Sequence, residues 1–176
     1  DDMIVNTVKL LEENPDVLQY LTNKFKYVLV DEYQDTNYAQ YKLVSTLASG
    51  KNNICVVGDD DQSIYRFRGA TIENILDFED QYKNAKTIRL EQNYRSTANI
   101  LDAANNVISN NKGRKGKTLW TDNKSGSKIN VYTAPDEREE ARFIAENILK
   151  NVRNGANFSD HAVLYRMNAQ SNALEN

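Results

Sequence analysis

Only one cysteine, one histidine, two prolines and seven glycines occur in the 176 residues of this chain. A lone Cys55 permits no internal disulfide and no cysteine-based metal site. It falls within a segment expected to be a buried strand, and the absence of disulfides points to the cytoplasm. No apolar run approaches membrane-spanning length, and no basic stretch followed by an apolar one marks the N-terminus as a secretory signal. Positive charge is not in excess either: 22 Lys and Arg face 25 Asp and Glu, a formal net charge of −3. The chain as a whole therefore has no attraction for nucleic acid, and any such binding must come from local patches. A phosphate-binding loop is also missing. The pattern G-x-x-x-x-G-K-[ST] is approached only at Gly116-Lys117-Thr118, where Asn111 occupies the first glycine position and no strand leads in. KGRKGK reads instead as a solvated loop with Lys112, Arg114, Lys115 and Lys117 exposed. There is no internal repeat or low-complexity tract, and the apolar content suffices for one domain or two small ones.

What is present is concentrated at strand ends. In VLVDEYQDTN, residues 28 to 37, an apolar run stops at Asp31 and Glu32, with Gln34 and Asp35 close behind. Val28, Leu29 and Val30 read as a buried parallel strand, whose C-terminal end is where an α/β sheet presents functional groups. One acid there can hold Mg²⁺ through water and its neighbour can take a proton from an attacking water. Acids at such a point can equally mark a chain emerging into solvent. ICVVGDDDQSIYRFRGA, residues 54 to 70, repeats the arrangement: a strand at 53 to 57, a turn at Gly58, an acidic run and a polar, aromatic segment. IRLEQNYRST, residues 88 to 97, adds a third strand near 86 to 90, then Asn93, Tyr94 and Arg95, with Ser96 as a helix N-cap.

Around these motifs, strand-like and helix-like runs alternate. Helices are expected over 2 to 13, restarting at Asn14-Pro15, and near 38 to 48, 72 to 81, 97 to 110 and 135 to 152; further strands are expected at 129 to 133 and 161 to 165. The alternation specifies an α/β fold with parallel sheets.

In wording and order, these segments resemble motifs II, III and IV of superfamily 1 DNA helicases of the UvrD, PcrA and Rep type. The likeness continues through VLYRMNAQS and covers essentially the whole chain. It implies parts of two RecA-like P-loop NTPase domains, residues 1 to 86 with motifs II and III and residues 87 to 176 from motif IV onward, with a nucleotide cleft between them. A start inside a helix and without an initiator Met fits a fragment of such a protein.

The resemblance also implies roles. Asp31 is the Mg²⁺-associated acid and Glu32 the catalytic base, itself close to the metal. Gln34 and Gln62 match family glutamines that sense the γ-phosphate or the attacking water, a task suited to an amide, which both donates and accepts. Arg95 would neutralise charge developing on the γ-phosphate, and Tyr94 would stack on the nucleotide base. Asp35 and Asp59 to Asp61 organise loops rather than bind metal directly. Arg166 matches an arginine of the second domain. Tyr65, Phe67 and Arg68 would hold unpaired bases by stacking supported by a cation, against the alternative of ordinary helix packing. Close relatives commonly have Trp where Phe67 stands.

The resulting expectation is a central segment of an ATP-dependent 3′ to 5′ DNA helicase or translocase in replication or repair. Its cofactors are ATP and Mg²⁺, and its partners are single-stranded DNA, duplex junctions and repair or replication proteins, with no membrane. The isolated segment is expected to be inactive without the phosphate loop. A non-catalytic DNA-binding or structural module, or part of a helicase–nuclease subunit, is the alternative.

Overall fold

Asn14-Pro15 divides the N-terminal apolar periodicity into two helices, because proline's fixed φ suits a first helical turn, where its missing N–H is not needed. The computed structural model describes residues 2–175, beginning with α1 (Asp2–Glu13) and α2 (Pro15–Lys24). Val8 and Leu11 of α1 are buried, and α1 packs on α3 (Tyr38–Ala48). The start of α3 is fixed locally by a capping box: Gln40 N donates to Asn37 Oδ1 at 3.0 Å and Asn37 N donates to Gln40 Oε1 at 2.9 Å.

On either side of α3 lie β1 (Val28–Val30) and β2 (Ile54–Val56), which pair in parallel with Val28 opposite Ile54 and Val30 opposite Val56. A helix linking two parallel strands is a βαβ unit. The register places the chain after Val30 beside the chain after Val56. Two further bonds extend the ladder into those loops, Val57 N to Val30 O at 2.8 Å and Tyr33 N to Val57 O at 3.0 Å. Residues 31 to 35 and 58 to 62 are thereby brought together.

The strands are less covered than expected. Leu29 is 76% exposed and its partner Cys55 is exposed, whereas Val28, Val30, Ile54 and Val56 are half-buried. α3 packs on β1, and among the described residues no layer covers the face that carries Leu29 and Cys55. The expected strands at 86 to 90, 129 to 133 and 161 to 165 do not form. A strand exists through its hydrogen-bonded neighbour. None of the three finds a partner strand among the described residues; an isolated parallel bridge, Gln92 to Trp120, lies just beyond the first, and Leu164 in the last is 94% exposed. Leu90 and Val131, in the first two of these segments, are 79% and 91% exposed. Much apolar surface is therefore open to solvent.

The expected helix near 72 to 81 is two short pieces, α4 (Glu73–Leu76) and α5 (Phe78–Gln81), joined at Asp77. After it, α6 (Ala98–Ile108) buries Leu101 and begins at Thr97 rather than Ser96. Ser96 is held one residue too early because Asn93 Oδ1 accepts the N–H groups of both Arg95 and Ser96, at 3.0 and 2.7 Å. First-turn amides of α6 are satisfied instead by main-chain carbonyls, Ala98 N by Lys124 O and Asn99 N by Ser125 O.

The chain divides into two compact units, residues 1–127 and 128–176. The second contains α7 (Glu137–Arg153), capped by Asp136, whose side chain accepts from Arg138 N at 3.0 Å and Glu139 N at 2.9 Å. Gly155 ends its C-terminal turn at φ 101°, a conformation glycine adopts without strain. Tyr132 stacks on Phe143 with ring centroids 3.8 Å apart, and α8 (Ser171–Glu175) packs on α7. No described helix is long and apolar enough to cross a membrane.

Candidate active site

Beyond β1 the chain turns sharply. Asp31 Oδ1 accepts the N–H of Glu32 at 2.9 Å, and Glu32 itself sits in the left-handed region at φ 49°, ψ 40°. That backbone is uncommon for a side-chain-bearing residue and is imposed by the turn into the single helical turn Tyr33–Asp35. Tyr33 beneath it is buried, packed edge-on against Phe78 at 5.9 Å, and burial, with Tyr82 and Tyr41 nearby, pushes its hydroxyl up to about 12. Thr36 and Asn74, both buried, tie this turn to α4: Asn74 Nδ2 donates to Thr36 O and to Thr36 Oγ1, each at 3.1 Å.

Gln34 is the centre of the arrangement. It is 1% exposed; its Nε2 donates to Glu32 Oε2 at 2.8 Å, and its Oε1 accepts from Asp59 N at 3.0 Å. Gly58 makes this approach possible, since a Cβ there would stand 2.6 Å from Gln34 Oε1 and 2.8 Å from Ile75 Cδ1. Asp59 then caps the turn Asp60–Gln62, accepting Asp61 N at 3.0 Å on Oδ1 and Gln62 Nε2 at 2.8 Å on Oδ2. Glu32, Gln34, Asp59 and Gln62 thus form one continuous run of hydrogen bonds across the ends of two parallel strands. Asp31 is exposed with Oδ2 uncommitted among the described residues, and Asp35 Oδ1 is buried without a partner. Of the two, the exposed Asp31 carboxylate is the one suited to a hard cation such as Mg²⁺.

The three acids Asp59, Asp60 and Asp61 bring carboxylate oxygens within 4.8 Å of one another, yet cations of the chain itself occupy them. Arg114 Nε and Nη2 donate to the two oxygens of Asp61 at 2.7 and 2.6 Å. Lys115 N donates to Asp60 Oδ2 at 2.7 Å, and Lys117 Nζ donates to Asp59 Oδ1. The solvated basic loop expected at 112 to 117 is therefore corrected. Lys112 is exposed, but Arg114, Lys115 and Lys117 are half-buried and paired, because the acidic turn offers carboxylates to Arg114 and Lys117 and Glu79 offers one to Lys115. Burial would raise the Asp59 carboxyl; hydrogen bonds from Lys117 and Gln62 outweigh it and hold the group below the usual carboxylate range. Burial likewise would lower Lys117, and the bond to Asp59 together with the neighbouring acids raises it instead. The opposed charge runs DDD and RKGK were the available signal for this contact.

Directly after Gln62, Tyr65 and the turn Arg66–Arg68 present a different surface. Phe67 is 78% exposed and lies tilted beside the exposed Tyr65, ring centroids 6.1 Å apart. The Arg68 guanidinium carbon is 5.2 Å from the Tyr65 centroid and 5.5 Å from that of Phe67. These aromatics are not packed into a helix interface; they form an open platform with a cation over it.

Tyr94 and Arg95 stand apart from the hydrogen-bond run. Tyr94 is 80% exposed, with its hydroxyl donating to Gln92 Oε1 at 2.8 Å; the Arg95 side chain makes no hydrogen bond or ion pair among the described residues. Arg166 belongs to the second unit, where its N–H donates to Gln170 Oε1 at 3.0 Å.

Two family models match the chain, the UvrD/REP helicase N-terminal domain over residues 1–83 and the UvrD-like helicase C-terminal domain over residues 88–176. The chain is similar to the ATP-dependent DNA helicase PcrA of Staphylococcus aureus, with 59% identity over 175 residues, 99% of this chain and 24% of the relative. Its identity to the ATP-dependent DNA helicase PcrA of Staphylococcus epidermidis is 58% over the same 99% of the chain and 24% of that protein. It thus spans about a quarter of the length of these curated relatives. Two adjoining family matches and this identity along nearly every residue establish that the chain belongs to the UvrD-like DNA helicase family.

Proposed function

We propose that this chain is a segment of an ATP-dependent DNA helicase that moves 3′ to 5′ on single-stranded DNA in replication or repair. Residues 1–86 and 87–176 would belong to two RecA-like domains with parallel sheets. The observation that supports this reading best is the bonded run Glu32, Gln34, Asp59 and Gln62, three residues ahead of the exposed Tyr65. It joins residues suited to phosphate chemistry to a surface suited to unpaired bases.

In this reading Asp31, with Glu32 close by, would hold Mg²⁺ largely through water, and the metal when bound would supply charge neutralisation at the phosphates. Glu32 accepts the proton of the attacking water, held for that task by the amide of Gln34. Gln62 donates to the γ-phosphate or accepts from that water, and its carboxamide is oriented by Asp59. Arg95, unpaired among the described residues, is available to phosphate oxygens through its planar fork, and Tyr94 offers an exposed ring to the base of ATP. Tyr65, Phe67 and Arg68 hold successive DNA bases without sequence preference. No glycine-rich phosphate loop lies within these residues, so this chain by itself is expected to turn over ATP negligibly. Intact Glu32 and Gln62 in a bonded arrangement weigh against a purely structural module.

Polarity and unwinding are tested with the full-length protein on duplexes carrying a single-stranded tail. Displacement from 3′-tailed but not 5′-tailed substrates, dependent on ATP and Mg²⁺, is expected; unwinding only from 5′ tails, or none, would refute the proposal.

A further inference from the structure

Asp59 is shared by two side chains of very different standing. One is Gln62, which the proposed function places at the γ-phosphate; the other is Lys117, from a loop with no role in that reading. Gln62 takes Oδ2 and Lys117 takes Oδ1, so each fixes the plane of the carboxylate for the other. The N–H of Asp59 also donates to Gln34, whose amide in turn holds Glu32. One residue thus stands a single bond from Gln62 and two bonds from Glu32.

The basic loop is built to stay there. Arg114 forks onto Asp61, and its Nη2 also donates to Lys117 O at 3.0 Å, bracing the loop from within. Arg89 Nη1 donates to Gly116 O at 3.1 Å. Asn105 of α6 pairs with both main-chain groups of Leu119, donating to its O at 2.9 Å and accepting from its N at 3.2 Å. Lys115 Nζ reaches Glu79 at 3.1 Å. The pairs at Asp59 and Asp61 are well covered, with side-chain exposures of 18% and 28% for Lys117 and Asp59 and 17% and 11% for Arg114 and Asp61. Exposed surface pairs contribute little, but a forked and shielded network is geometrically specific.

Resting on the hydrolysis reading above, we infer that Lys117 and Arg114 are positioning residues for ATP hydrolysis: Lys117 orients Asp59, and Arg114 fixes the turn at Asp61, so that Gln62 and Glu32 keep their reactive orientation. Neither need touch the nucleotide. Their loss would let the Gln62 amide rotate away from its task while leaving the acid and base in place. Misplacing a group in a reactive constellation falls on the rate of the step rather than on ground-state binding.

The test is ATP hydrolysis by the full-length protein at saturating single-stranded DNA, with kcat and the KM for ATP measured separately. Lys117→Ala is expected to lower kcat about 10- to 100-fold, the usual range for groups that orient a functional residue from behind, while KM for ATP and DNA affinity stay within about twofold. Lys117→Arg, which keeps a cation against Asp59, should retain most of the rate. Arg114→Asp should lose rate, and the exchange Asp61→Arg with Arg114→Asp should recover it. A kcat for Lys117→Ala within twofold of wild type, or a change confined to KM, overturns the inference. Should Lys117→Ala fail to fold, the charge exchange decides: recovery supports the inference and no recovery overturns it. Glu32→Gln measured alongside separates the two levels. Normal turnover in that variant refutes the hydrolysis reading itself, whereas a dead Glu32→Gln beside a normal Lys117→Ala refutes only the positioning role.

Discussion

Arg114 closes a two-pronged hydrogen bond on Asp61, a residue 53 positions earlier in the chain, with distances of 2.7 and 2.6 Å. The contact binds the segment after α6 to the turn that carries Gln62, within one compact unit. It makes the acidic run a set of anchored groups instead of an open cation site.

The charge pairs set a pH window. The Asp59 carboxyl is lowered in the fold, so the stability it contributes is present above its unfolded value, about 3.9, and is lost as pH falls through the folded one. Lys117 is raised, so its contribution is present below its unfolded value, about 10.4, and is lost as pH rises through the folded one. Trp120, the single tryptophan, lies three residues beyond Lys117 and reports on the loop. Its fluorescence should be flat from about pH 5 to 10 and change below about pH 4. A transition centred near neutrality would contradict the pairing.

Gly58→Ala should destabilise by about 1 to 3 kcal/mol, because its new methyl would meet Oε1 of the buried Gln34 at 2.6 Å and the backbone N of Tyr33 at 3.2 Å. Urea denaturation should show a lower midpoint with an unchanged slope. An unchanged midpoint would mean that Gln34 is not held where the bonded run requires.

Much of this was readable from local signals. The expected helix at 38 to 48 coincides with α3 because its boundary is written in Asn37 and Gln40, three residues apart. Pro15 marked the junction of α1 and α2 in the same way. The strands at 86 to 90, 129 to 133 and 161 to 165 were misjudged because apolar alternation states a preference for pairing, and pairing needs a neighbour; Leu164 has none. The site divides likewise. Gln34 and Gln62 were visible as polar residues just beyond two apolar runs, and the register of β1 with β2 puts them in one network. Lys117 and Arg114 were visible only as charge. Which acids they meet depends on how α6 and Leu119 return the loop, a long-range matter that no window of sequence contains.

In the full-length protein, Tyr65→Ala or Phe67→Ala should weaken single-stranded DNA binding by roughly 1 to 3 kcal/mol per base stacked, with little dependence on base sequence. The salt dependence of binding should barely change, because no phosphate contact is removed; Arg68→Ala should flatten it. Fluorescence anisotropy with oligo-dT and mixed-sequence strands at several salt concentrations measures both. Unchanged affinity in folded Phe67→Ala would show that the open aromatic platform is not a DNA surface.

Glu32, held by Gln34 at 2.8 Å, is the residue proposed as the base for ATP hydrolysis in the full-length protein. The direct measurement compares steady-state ATPase, with single-stranded DNA and Mg²⁺ present, and equilibrium nucleotide binding in wild type and Glu32→Gln. The amide keeps the shape and hydrogen bonding of the side chain but cannot take the proton, so binding should persist while kcat falls by about 10² or more. Turnover near the wild-type rate in Glu32→Gln would contradict the account.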